Sequence, residues 1–342
     1  MGRTLVYVLV SVILLSGIGI CAFLILAKPA WQEEEPPLFE AKGTACDLSE
    51  RVPVLLNRGP EIKDGFRGDV HPMLRSPGEM KVAAAWKFDK SQETDTAFPL
   101  APRKLQEILL NLAVAVPTKT YTARDFSAFL PAEEPQEVGQ TWALDSDKLI
   151  DFLKQFHPAP SMHLLARGRR AGPDGAFATL RAISPTHIDI VFRVHAEYDV
   201  MPAQYKDRLP MPGAWYSPSS FLGRLVIDRE AGAVEYFRLA LPNDDRHNVH
   251  CTLSNGFDEG EVHGWMRIER MELVAGNKAR VDGLTWTNEM AATDAQSRLT
   301  KIFYRFKDID WVPFEKAEEI ARQKKKPIFV VVAMGSLDNQ TC

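Results

Sequence analysis

Alternation of apolar and polar residues organises the middle of the chain. From His187 to Tyr198, the residues Ile188, Ile190, Phe192, Val194, Ala196 and Tyr198 fall on one side of an extended backbone. His187, Asp189, Arg193, His195 and Glu197 fall mostly on the other. This is the clearest strand signal in the sequence, and its polar side reads as a solvated sheet face. Leu222–Asp228 and Val234–Leu241 alternate on either side of Arg229-Glu230-Ala231-Gly232-Ala233, the pattern of a hairpin with a glycine-containing loop. Trp265–Val274 and Leu299–Phe306 alternate less cleanly and are expected as further strands, with a short one at Ala83–Phe88. A helical period replaces this pattern twice. Phe98-Pro99-Leu100-Ala101-Pro102 leads into a helix over Arg103–Val114. Asp145 and Asp147 then open a second helix, whose stripe Leu149, Phe152, Leu153 and Phe156 is expected in the core before Pro158 ends it. These elements predict an α+β domain over residues 70–300, an antiparallel sheet with helices at its start.

The two ends differ from this middle. Thr4–Ala27 carries no charge over 24 residues, a length of about 36 Å as a helix against a hydrocarbon core of about 30 Å. Residues 1–28 are therefore expected to be an uncleaved signal anchor forming one transmembrane helix. Arg3 lies on one side, while Lys28 on the other is soon followed by Glu33, Glu34 and Glu35, which leaves the N-terminus cytosolic and exports the rest. Residues 29–69 begin proline-rich and acidic and read as a linker and irregular segment. Residues 301–342 read as an amphipathic helix (Trp311–Lys325), a buried strand (Pro327–Ala333) and a loop, Met334 to Thr341, that delivers Cys342. That order is the first half of a thioredoxin-like α/β domain, in which a redox cysteine follows the strand and the next helix N-terminus stabilises its thiolate. The expectation is that the reading stops at a UGA codon specifying selenocysteine.

Composition adds limits more than functions. The 342 residues are 45% apolar and 25% charged, ordinary globular values, and a net charge of −4 gives no general case for nucleic acid as a partner. Of the four cysteines, Cys21 lies in the expected span, Cys46 and Cys251 either pair or stand alone, and Cys342 is the redox candidate. His247, His250, Cys251 and His263 offer zinc-ligand chemistry at a spacing that fits no standard site. His195 and Glu197 read either as an acid–base pair or, by preference, as part of the solvated face. The glycosylation sequence Asn339-Gln340-Thr341 stands beside the candidate cysteine, and Lys324–Lys326 reads as a solvated helix end. No nucleotide loop, dinucleotide fingerprint or serine elbow occurs.

Several stretches resemble the selenoprotein N family. Met334-Gly335-Ser336-Leu337-Asp338-Asn339-Gln340-Thr341-Cys342 is similar to the run before that family's Ser-Cys-Sec-Gly motif, with Thr341 where the family has serine. Tyr304-Arg305-Phe306, Trp311 to Ala317 and Lys324-Lys325-Lys326-Pro327 look like the approach to it. Ile190 to Tyr198, Trp215-Tyr216-Ser217-Pro218 and Phe237 to Asn243 extend the resemblance over roughly residues 180–342. It implies a membrane-anchored thiol–disulfide oxidoreductase in which Cys342 is catalytic beside a selenocysteine. It also implies a protein disulfide as substrate, a calcium pump among them, and a place in the endoplasmic reticulum membrane or, for a bacterial relative, the plasma membrane facing the periplasm. Vertebrate members carry an EF-hand; Asp145-Ser146-Asp147-Lys148 lacks the turning glycine and Phe257-Asp258-Glu259-Gly260-Glu261 lacks ligands, so direct calcium sensing does not carry over. No bound cofactor is implied. A membrane-tethered, non-catalytic adaptor is the alternative.

Overall fold

The computed structural model describes residues 60–88, 116–157, 161–163, 175–200, 213–243, 248–254, 261–304 and 311–325, with single positions at 307, 309, 327, 328 and 330. Pro60–Tyr304 form one compact unit, and Arg305–Met334 belong to another. In the first unit, a ten-stranded sheet is built from β1 (Ile62–Lys63), β2 (Met80–Phe88), β3 (Thr118–Tyr121), β4 (Thr141–Ala143), β6 (Ala176–Ile183), β7 (His187–Val194), β10 (Phe221–Asp228), β11 (Ala233–Ala240), β14 (Ile268–Gly276) and β15 (Asn288–Glu289). Its order is β1-β4-β6-β7-β10-β11-β14-β2-β3, with β15 beside β6, and only the β1–β4 pair is parallel. A five-stranded antiparallel sheet joins β5 (Ser161–His163), β8 (Glu197–Val200), β9 (Gly213–Pro218), β12 (Val249–Ser254) and β13 (Glu261–Met266).

The chain passes repeatedly from one sheet to the other, so two expected strands are each divided. The run from His187 to Tyr198 breaks at His195-Ala196: β7 lies at the middle of the large sheet and β8 in the small one. Trp265–Val274 likewise breaks at Arg267 between β13 and β14. Alternation continues through both corners because a sheet change needs a bend and leaves the side-chain period intact. Asn248, 2% exposed, ties the second corner to the end of β11: its side-chain amide donates to the carbonyls of Pro242 (3.1 Å) and Ile268 (2.8 Å) and accepts from the Ile268 amide (2.8 Å). The hairpin of β10 and β11 forms as expected, with Gly232 at φ +62° in its turn.

The main core fills the inner face of the large sheet. Helix α1 (Ala123–Phe126), a short 3₁₀ turn (Ser127–Phe129) and helix α2 (Ser146–Phe156) pack against it. The expected α2 stripe of Leu149, Phe152, Leu153 and Phe156 is buried, and Asp145 caps the helix by accepting from the Lys148 amide at 3.4 Å. Phe152 stacks on Tyr121 at 4.0 Å and meets Phe126, Phe129 and Phe237 at 5.1–5.5 Å. Where β10 crosses β7, Gly223 faces Phe192, and a Cβ there would lie 2.0 Å from the ring.

Leu299–Phe306, expected as a strand, is instead mostly helix. Helix α4 (Ala292–Phe303) buries Ala295, Leu299, Ile302 and Phe303, spaced four, three and one apart, so the period is helical once the window reaches back to Ala292. Helix α3 (Lys278–Asp282) precedes it. In the second unit, helix α5 (Phe314–Lys324) ends at Lys325 in the left-handed region, φ 51°. Pro327, Ile328 and Val330 form no strand there, and residues 331–342 lie outside the described residues. The expected helix over Arg103–Val114 lies outside them too. The expected fold class, an α+β chain opened by a membrane helix, is corrected to a mixed, sheet-rich domain. Among the described residues no helix is long and apolar enough to cross a membrane, and Thr4–Ala27 lies outside those residues.

Candidate functional site

The outer face of the large sheet carries the charged chemistry, and it is buried. Every residue of β7 is buried on both sides, so the expected solvated face does not exist. Helix α4 lies on it, with Ala295, Leu299, Ile302 and Phe303 against Phe177 and Val191; Val281 of α3 meets Val226 and Tyr236 further along. Between these apolar pads sits Asp189, fully buried, which accepts from Arg181 Nε at 2.7 Å and Arg224 Nε at 3.0 Å. Arg181 reaches on to Glu289 (3.0 Å) and Arg224 to Asp282 (2.8 Å). Burial works against the Arg224 charge, but Asp189 and Asp282 outweigh it and hold the guanidinium above its ordinary value. Two cations and three anions thus share one partly desolvated cluster, in which each charge has a partner.

Beside it, Arg193 donates from Nε to His195 Nε2 (2.8 Å) and from a terminal nitrogen to Thr300 Oγ1 (2.8 Å). As an acceptor at Nε2, the neutral His195 ring carries its proton on Nδ1. The ring stacks on Phe303 with centroids 3.9 Å apart, and the Arg193 guanidinium lies 5.9 Å and 5.7 Å from the Phe303 and Tyr304 centroids. Glu197 is directed elsewhere, accepting from Ser217 Oγ at 3.2 Å. The corner at His195-Ala196 therefore separates the two residues that alternation placed together as an acid–base pair.

A third group closes the far end of the same face. His187 and Asp228 are register partners on β7 and β10. On β11 the pairing shifts: Val226 faces Tyr236 and Ile227 faces Val234, which leaves Glu235 as the extra residue of a β-bulge. His187 Nε2 and Glu235 Oε2 stand 2.8 Å apart, His187 Nδ1 lies 2.8 Å from Thr186 Oγ1, and Asp228 completes a set whose potential ligand atoms all lie within 4.8 Å of one another. Sequence reasoning placed these residues on three strands but did not group them, since a bulge is invisible to strict alternation. The signal available was local: Val234, Phe237 and Leu239 belong to the main core, a spacing that period two cannot produce.

The residues singled out from sequence are dispersed. Cys342, Cys21, Cys46 and His247 lie outside the described residues. Cys251 is buried on β12, in register with Tyr216 and Gly264. Burial, with Tyr198 and Cys251 beside it, pushes the Tyr216 phenol far above its ordinary value. His250 is buried next to Cys251 in sequence, and Thr252 faces His263 across the β12–β13 ladder. Asp145 is occupied as a helix cap and by ion pairs with Arg67 (3.4 Å) and Lys148 (3.9 Å).

No family model matches the chain, and no solved structure does. Among curated proteins, it is 27% identical to selenoprotein N of Danio rerio over 371 aligned positions, covering 93% of this chain and 58% of that protein. It is 28% identical to selenoprotein N of Mus musculus over 363 positions (91% and 58%) and to that of Homo sapiens over 283 positions (67% and 46%). The chain thus spans about half the length of the curated relatives it matches. The similarity reaches well beyond residues 180–342, into the part for which no motif stands out. Over up to 93% of its residues, the chain is thus similar to proteins of that one name, selenoprotein N.

Proposed function

We propose that the chain acts in thiol–disulfide exchange, with Cys342 as one of two redox centres and a selenocysteine as the other. The observation that carries this reading is the similarity to three selenoprotein N sequences, together with the run Met334–Cys342, which resembles the approach to that family's Cys-Sec pair. The described residues are consistent with a redox centre outside Pro60–Tyr304: Cys251, the cysteine among them, is 2% exposed and offers a disulfide substrate no approach.

A selenolate attacks one sulfur of a protein disulfide, forming a selenium–sulfur bond and expelling one thiolate. The Cys342 thiolate then attacks the selenium, releases the second substrate thiolate and closes a Cys342–Sec bond. The substrate gains two electrons and the pair loses two; a dithiol reductant restores it. Cys342 by itself forms a mixed disulfide and cannot complete this cycle. The substrate implied is a protein disulfide, a calcium pump being the candidate through which such chemistry would serve calcium homeostasis.

The test is alkylation of the full-length protein with iodoacetamide at about pH 6, where an activated thiolate or selenolate reacts and an ordinary thiol near its usual pKa of about 8.5 mostly does not. Rapid labelling at Cys342 or the adjoining residue, lost on Cys342→Ser and selenocysteine→Ser replacement, is expected. Absence of labelling overturns the redox reading in favour of a non-catalytic adaptor.

A further inference from the structure

We propose that His187, Asp228 and Glu235 form a binding site for a divalent cation of borderline character, zinc being the best match. The site is independent of the redox reading and lies on a different part of the chain. Its geometry follows from the sheet: register sets His187 opposite Asp228, and the bulge turns Glu235 toward both. Imidazole nitrogen and carboxylate oxygen are both ligand types that zinc accepts, and three protein ligands leave the fourth tetrahedral position for water. Ligands about 2.0–2.2 Å from a tetrahedral ion stand roughly 3.4 Å from one another. The observed separations of at most 4.8 Å therefore need only small side-chain rotations to close on an ion.

Three details favour an ion over an ordinary hydrogen-bond cluster. The His187–Glu235 contact puts a proton between two groups that are 10% and 9% exposed at the side chain, where an ion would bind both. Thr186 Oγ1 at 2.8 Å from Nδ1 fixes the ring so that Nε2 faces the carboxylates, the arrangement that orients metal-bound histidines. Asp228 Oδ1 is held by the amides of Glu230 (2.9 Å) and Ala231 (2.8 Å), which leaves its other oxygen for an ion.

Arg280 supplies a competing charge. Its Nε forms an ion pair with Glu235 Oε1, yet no donor is aligned for a hydrogen bond to that buried oxygen. Arg280 is 65% exposed at the side chain and can move into solvent when a cation replaces it. An ion would tie β7, β10 and β11 together at one end and stabilise the native state by mass action.

The experiment is calorimetric titration of the chelator-treated full chain with Zn²⁺, paired with thermal unfolding and with Co²⁺ absorption to separate nitrogen and oxygen ligands from thiolates. One equivalent is expected to bind, with a rise in melting temperature and no thiolate-to-cobalt charge-transfer band. Glu235→Gln and Asp228→Asn should each weaken binding at least tenfold. Arg280→Ala, an exposed change that leaves the fold intact, should tighten it several-fold. The proposal is overturned if no saturable binding occurs, if the cobalt spectrum reports thiolates, or if Arg280→Ala leaves the affinity unchanged.

Discussion

The two faces of the ten-stranded sheet solve the same problem by different means. On the inner face, large aromatic side chains from α1, α2, β7 and β11 interlock with no charge among them. On the outer face, two small apolar clusters flank buried Arg193, half-buried Arg181 and Arg224, a buried aspartate and two buried histidines. The inner face draws its stability from area removed from water, which is insensitive to the fine detail of partners. The outer face depends on each charge finding its counterpart, and this makes it the more specific and the more fragile surface. It is also where a site for an ion can arise, because polar groups are already held there in fixed positions.

The largest effect expected from breaking this contrast is on the inner side. Phe152→Ala removes a ring that touches four aromatic neighbours and should cost about 3–5 kcal/mol in denaturant unfolding. On the outer side, Asp189→Ala leaves Arg181 and Arg224 facing each other and should cost about 3 kcal/mol or more. Replacing all three residues by apolar ones of similar volume should recover much of that loss, whereas no second substitution of this kind rescues Phe152→Ala. A triple variant as unstable as the single one would show that the ion pairs themselves stabilise the outer face in a way apolar packing cannot replace.

A smaller effect is expected at Gly223→Ala. The added methyl must displace the Phe192 ring, an overpacking cost of about 1–3 kcal/mol that Phe192→Leu should relieve. The smallest concerns pH. Burial holds the imidazoles of His71 and His157 below the ordinary value of 6.5. The unfolded chain therefore binds protons that the folded protein refuses. Their contribution to stability is complete above about pH 6.5 and is lost as pH falls from there through the depressed folded values. Melting temperatures at about pH 7.5 and about pH 5.5 should differ in that direction, and His157→Gln should reduce the difference.

The inner face is legible in the sequence. Leu149, Phe152, Leu153 and Phe156 on one helix, and Ile188 to Val194 on one strand, reveal their burial through spacing that depends only on the local backbone. The outer face is not legible, for a related reason. Asp189, Arg193 and His195 look solvated so long as nothing covers them, and the cover is α4, about a hundred residues later, whose last turn reads as a strand in a window of eight residues. Mistaking that helix for a strand leaves the charged face of β7 without its cover. The His187–Asp228–Glu235 group is hidden by a single extra residue, since the β11 bulge brings Glu235 onto a face that alternation denies it.

Sequence alone determined where the apolar residues recur, hence the hairpin, helix α2 and the inner core. Through the order of its motifs it also pointed to the selenoprotein N resemblance. Tertiary structure decided which strands change sheets at His195, Ser219 and Arg267, that both faces of β7 are buried, and which charged residues meet. Periodicity is a property of a few consecutive residues and survives in any context. Strand pairing, bulges and coverage are set by contacts between segments far apart in the chain, whose energies balance only once the whole sheet has formed.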